Sequence, residues 1–180
     1  MAGQHAGRCE RDQGPSGGCG MKITDVDLIT ARAETFVNAT PEQIWPLISD
    51  ISVPPRFSPE AVSTRWVDEK SFIGVNEHPK VGQWETVCFV VINEPDSRFG
   101  WAVMDPENPT STWTFELEPV EGGTRLSQTA RLGTGKSIIH WNVERMPDKE
   151  ARIIERRLSE WQTGLQACVD GIKELAEQAR

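Results

Sequence analysis

The sequence predicts an α+β domain, a seven-stranded antiparallel sheet with one long helix at its C-terminal end and two short helices after the first strand. Three observations carry that expectation. Six segments between Ala61 and Leu132 have strand character and are separated by short turn-forming clusters. From Pro147 onward, apolar residues return every three or four positions. Ahead of both, one further strand-like stretch runs into a helix-start signal.

That first stretch is LITARAETFVN, residues 28–38. Thr40-Pro41-Glu42-Gln43 follows, a capping box with proline at the first helical position, so a helix is expected to begin there. Ile44, Trp45, Leu47 and Ile48 supply its apolar side. Val53-Pro54-Pro55 breaks it, because proline lacks the N–H that a continuing helix needs, which leaves two short helices with a kink between them.

The next six segments are AVSTRWVD, KSFIGVNE, GQWETVCFVVIN, SRFGWAVM, STWTFELEP and TRLSQTARL. Asp-Glu-Lys, His-Pro-Lys, Glu-Pro-Asp, Asp-Pro-Glu-Asn-Pro and Glu-Gly-Gly punctuate them. Connections this short demand antiparallel neighbours, since a parallel return takes a crossover of about a dozen residues or more. In the last segment, Ile154, Leu158, Trp161, Leu165, Cys168, Ile172 and Leu175 form one stripe on a helix. Some thirty residues at about 1.5 Å each span roughly 45 Å, and the inner face of the meander is the one partner surface of matching size.

Composition narrows the classes of function. With 180 residues, 37% of them hydrophobic, the chain fits one domain with a substantial core. The first twenty residues hold six glycines and no Val, Ile, Leu, Phe or Trp; residues 1–20 are expected to be a disordered tail and residues 21–180 the folded domain. Met21 is a second possible start. A net charge of -8 argues against nucleic acid, and no apolar run is long enough to span a membrane. A soluble cytoplasmic protein, monomer or homodimer, is expected. His5, Cys9 and Cys19 have no metal-site spacing, Cys88 and Cys168 fall on apolar faces as buried thiols, and neither metal nor cofactor is expected. Gly133-Thr134-Gly135-Lys136-Ser137 lacks the first glycine and the βαβ setting of a phosphate loop. Asn38-Ala39-Thr40 matches a glycosylation acceptor, but Thr40 serves as the helix cap.

This order of elements, with NATPEQIWPLISD, FSPE, FIGVN, WTFELEPVEGGTRL and RMPDKEARI, resembles the START-like, helix-grip superfamily over residues 28–178. It is most similar there to the SRPBCC proteins labelled polyketide cyclase/dehydrase. The resemblance implies a curved sheet wrapped around the terminal helix, with an apolar cavity of a few hundred Å³ between them. It implies a small hydrophobic ligand such as a lipid, polyketide or isoprenoid. Polyketide cyclase or dehydratase chemistry is the alternative, and a protein-interaction module a third class.

Gln128 shares a face with Trp113, Phe115, Leu117, Leu126, Ala130 and Leu132, where an amide must be paired, wet or used. It either lines the cavity or is a satisfied core amide. Seven Trp and no Tyr suit aromatic walls. Trp66, Trp84, Trp101, Trp113 and Trp161 are wall candidates as a set, and each alone could be plain core. Asn76 in FIGVN joins Gln128 as a polar group to orient a ligand. Arg157, one turn before Trp161, could hold a ligand carboxylate, or belong with Arg152 and Arg156 to a solvated helix face. For catalysis the candidates are Glu60 and His140, the latter in the segment before the long helix as a gate, a general base or an ordinary exposed loop histidine.

Overall fold

The computed structural model describes residues 20–179, so the expected tail, with His5, Cys9 and Cys19, lies outside the described residues apart from Gly20. The elements run β1 (Thr30–Val37), α1 (Pro41–Ser49), a 3-10 turn (Pro54–Arg56), β2 (Ala61–Trp66), β3 (Ser71–His78), β4 (Gly82–Glu94), β5 (Arg98–Val103), β6 (Ser111–Val120) and β7 (Gly123–Leu132). Then come α2 (Ile138–Arg145), a second 3-10 turn (Pro147–Lys149) and α3 (Glu150–Gln178). One seven-stranded antiparallel sheet has the order β1-β7-β6-β5-β4-β3-β2. It is the helix-grip arrangement, and all six strands of the meander are present.

Local chemistry sets the element ends. Gln43 reaches back to accept the Thr40 N–H at 2.9 Å, one arm of the expected capping box. The second short helix is a single 3-10 turn, since Pro54 and Pro55 leave too few N–H donors for more. At the β6–β7 turn Gly122 has a φ of 82°, and a side chain at Gly123 would run into the Val37 carbonyl. That close approach fits the two ends of β1 and β7, which pair in register from Thr30↔Arg131 to Val37↔Thr124.

The core lies between the concave sheet face and α3. Ile154, Trp161, Leu165, Cys168 and Ile172 are buried as the periodicity predicts, and Val169 and Ala176 widen the stripe. The helix lies mainly along β1 and β7. Its far end is tied to β1 by Lys173 Nζ donating to the Phe36 carbonyl at 2.6 Å and by the Asn38 N–H donating to Glu177 at 2.9 Å. No described helix is long and apolar enough to cross a membrane.

One expectation is overturned. The segment between β7 and the long helix is not a loop: Ile138–Arg145 form α2, with Ile139 and Val143 buried on its inner side. Eight residues with two buried side chains carry too little periodicity to announce a helix, and tertiary packing against α3 supplies what propensity lacks.

Candidate functional site

Strand alternation places Trp66, Phe72, Trp101, Trp113 and Phe115 on the concave face, and they form a continuous series of rings. Centroids are 5.6 Å apart for Trp66–Phe72 and 5.9 Å for Phe72–Trp101, both edge-on. Trp101 and Trp113 lie parallel at 6.3 Å, and Trp113 meets Trp161 of α3 edge-on at 5.6 Å. Phe99 joins through Trp101 at 6.2 Å, and Trp45 of α1 touches Phe99 at 6.3 Å. The series runs from the sheet edge, where Trp66 is 48% exposed, to the buried interior, where Trp161 is 5% exposed. Sequence reasoning passes over Phe72 and Phe99, although their alternation with Trp66 and Trp101 could have found them.

Two polar atoms in this interior have no partner among the described residues. Gln128, 3% exposed, pairs across strands with Phe115 on one side and Ala33 on the other. Among the described residues its Oε1 accepts no hydrogen bond, and Trp161 Nε1 on the helix side donates none. An unmet buried donor or acceptor costs about 1–3 kcal/mol, so an amide oxygen at this place gains from any donor brought to it.

Asn76 is half-buried and loosely held. Its Nδ2 reaches Thr86 Oγ1 at 3.3 Å and the Gly74 carbonyl at 3.4 Å, both long. Trp84 lies directly opposite it on β4. Asn76 also pairs with Ala61 at the start of β2, beside Glu60, whose carbonyl accepts the Glu77 N–H at 2.8 Å.

Glu60 ends a four-residue strap, Phe57–Glu60, that runs along α3. Phe57 covers Gly171, where any side chain would strike its ring; Pro59 lies over Gly164; and Glu60 meets Arg157. These helix positions are seven apart, on one side of the cylinder. Arg157 donates from Nη1 at 2.7 Å and from Nη2 at 3.0 Å to the two carboxylate oxygens of Glu60. It also donates to Glu160 at 3.4 Å, and its guanidinium stands 5.4 Å over the Trp161 ring. Burial opposes the charge on Arg157, but Glu60 and Glu160 outweigh it and raise the pKa. Arg152 and Arg156 are exposed, whereas Arg157 is not part of that solvated face.

His140 is placed differently from expectation. It is the N3 residue of α2, and its Nδ1 accepts the Ser137 N–H at 3.2 Å with Ser137 Oγ at 3.0 Å. The acceptor role puts the ring proton on Nε2, so neither nitrogen is a free base in this arrangement. Burial lowers the His140 pKa, with Glu144 opposing and Lys136 assisting. The thiols of Cys88 and Cys168 are pushed up by burial to about 11 and about 12, which leaves them protonated and inert. Among the described residues no three His, Cys, Asp or Glu cluster as metal ligands.

Hollows of about 300 and 220 Å³ lie elsewhere, one among Arg32, Arg98, Glu116 and Arg125, the other among Ser52, Arg56 and Thr64. Neither includes a residue of the aromatic series. Along the concave face neighbouring rings stand 5.6 to 6.3 Å apart, centroid to centroid.

The model of the polyketide cyclase / dehydrase and lipid transport family matches residues 29–174. The solution structure of a Polyketide_cyc-like protein from Corynebacterium glutamicum is 27% identical, with a TM-score of 0.60 over 84% of this chain and 93% of that one. A Nitrosomonas europaea protein shares the fold at 15% identity and a TM-score of 0.58, over 84% of this chain and 96% of that one. The di-domain ARO/CYC StfQ of the steffimycin biosynthetic pathway does so at 15% identity and 0.63, covering 84% of this chain and 51% of that one. No curated protein matches the sequence. With the family model spanning the sheet and nearly all of the terminal helix, the chain belongs to the polyketide cyclase / dehydrase and lipid transport family.

Proposed function

We propose that the protein binds a small, largely hydrophobic molecule between the concave sheet face and α3, as a carrier or sequestering protein. The observation that carries this reading is the pair of orphaned polar atoms, Gln128 Oε1 and Trp161 Nε1, in an interior walled by aromatic rings. A solid core would favour apolar atoms at both places. A ligand with an apolar body, one donor and one acceptor would offset both unmet groups and gain the burial of its remaining surface. A lipid, polyketide or isoprenoid with a hydroxyl or carbonyl group has that chemistry. Trp66, Trp101, Trp113, Phe115 and Trp161 would form the walls, with Asn76 and Trp84 nearer the strap.

Native mass spectrometry of the protein purified from its own cells tests the reading. A co-purifying mass of a few hundred daltons is expected. A clean protein that also ignores a panel of fatty acids, isoprenoids and polycyclic phenols would falsify it.

A cyclase or dehydratase is the second reading. It draws on the di-domain ARO/CYC neighbour StfQ, whose likeness extends to the fold. Of the two residues first proposed for it, His140 serves a helix cap and Glu60 an ion pair. Turnover of a polyketide substrate that collapses in folded E60Q would favour this reading.

A further inference from the structure

We infer that Arg157 anchors a carboxylate on the ligand, and that the Glu60 side chain competes with that carboxylate for the same guanidinium edge. The inference rests on the binding reading above and narrows the ligand class to a largely apolar monocarboxylic acid whose body keeps the donor and the acceptor that this reading asks for. Three observations support it. Arg157 presents two parallel N–H donors to a carboxylate, the fork geometry that guanidinium offers to planar anions. The same guanidinium lies over Trp161, a wall of the proposed site whose Nε1 has no partner, so the anion position and the apolar interior are contiguous. The Arg157 and Glu60 side chains are 22% and 26% exposed, which sets the pair at the rim, where a ligand's head group would meet water and its body the rings.

Exchange needs little movement. Phe57 and Pro59 seat the strap on Gly171 and Gly164, and Ser58 Oγ accepts the N–H groups of Glu60 and Ala61 at 3.1 and 2.8 Å. The strap backbone is thereby held while the Glu60 side chain can rotate outward and be solvated. Glu160 stays within 3.4 Å of Arg157 and is itself held by Arg156 at 2.9 Å, so the guanidinium keeps its direction. An incoming carboxylate takes the place of the Glu60 carboxylate at the guanidinium edge, and the displaced Glu60 charge turns outward into water. A neutral ligand of the same shape cannot do this without leaving Arg157 with Glu60 in place.

The test compares a fluorescent polyene fatty acid with its methyl ester, titrated into wild type, E60Q, R157Q and R157K. The expected acid-to-ester affinity ratio is a few-fold in wild type and about tenfold higher in E60Q, the smallest change typical of weakening a charge-assisted competitor. R157Q should bring the ratio to about one with ester binding retained, and R157K should lie between. Anthracene carboxylic acid and its methyl ester, run in parallel, separate an acyl from a polycyclic body. R157Q leaves Glu60 half-buried without its partner, so circular dichroism accompanies it, and E60Q with R157K decide the matter if R157Q is unfolded. A ratio near one in wild type and E60Q, or a ratio that survives R157Q or R157K unchanged, overturns the inference while ester binding upholds the carrier reading. Absence of binding by all four probes overturns both.

Discussion

Gln128 and Trp161 each hold an unmet polar atom, an acceptor on the first and a donor on the second, and would answer differently to substitution. Gln128→Met removes the orphaned Oε1 at nearly constant volume, so unfolding in urea should show a gain of about 1–3 kcal/mol, with probe binding weakened. Destabilisation instead would mean that the amide is paired. Trp161→Ala should cost about 3–5 kcal/mol, because the ring packs against Trp113 and under Arg157. A loss below about 2 kcal/mol, with binding destroyed, would assign the ring to a loosely filled wall. His140 gives a pH test. Its folded pKa is lowered from the ordinary 6.5, so the unfolded chain protonates first as pH falls. Its contribution is complete above about pH 6.5 and is lost as pH drops through the lower folded value, where His⁺ can no longer accept the Ser137 N–H. His140→Gln keeps an N3 side-chain acceptor that does not titrate. The difference in stability between wild type and this variant should therefore shrink, or reverse in favour of the variant, between pH 7 and pH 5. A pH-independent difference would show that the ring is not linked to folding.

Along α3, two glycines on the same side are expected to respond with opposite signs. Alanine normally improves a helix interior over glycine by about 1 kcal/mol. At Gly164 the new Cβ would lie 3.5 Å from Pro59 Cδ, an ordinary contact, so Gly164→Ala should raise stability by up to about 1 kcal/mol. At Gly171 the Cβ would enter the Phe57 ring, and Gly171→Ala should lower stability by about 1–3 kcal/mol. Equal effects in thermal melts would mean that the strap does not rest on the helix as described. The periodic stripe of α3 was legible in the sequence, but these two notches were not. A glycine in a helical pattern reads as a weak point until the side chain that fills its place is known. Element α2 was missed for the related reason that its two buried residues, Ile139 and Val143, gain their burial from a neighbour distant in sequence.

For the molecule as a whole, the sheet closes on the first strand rather than ending with the last. The β1–β7 pairing joins Thr30–Val37 to Gly123–Leu132 and gives α3 its floor. Residues ahead of β1 also dock: the Ile23 N–H donates to Glu150 at 2.7 Å, and Met21, Ile23 and Val26 pack on the core. Deleting residues 1–20 leaves those contacts in place, so melting temperature and probe binding should stay unchanged. A drop of many degrees would mean that the removed segment packs on the domain.

Strand alternation, the capping box at Thr40 and the four-three spacing after Pro147 are local signals, each read within one or two turns of chain. They determined the class of fold, the number of strands and which side chains share a face, so Trp113, Phe115 and Gln128 could be grouped before any contact was known. What they could not carry was partnership. Gln128 has a face from its parity, but whether its amide is met depends on what α3 brings opposite it. Glu60 and Arg157 are 97 positions apart and pair because the strap happens to run along the helix. Arg157 reads in sequence either as an anchor for a ligand carboxylate one turn before Trp161 or as one of a solvated trio, and the packing of Glu60 and Trp161 around it separates it from Arg152 and Arg156. Burial and charge pairing are properties of the assembled surface, set when distant segments dock, and the candidate site consists almost entirely of such pairings.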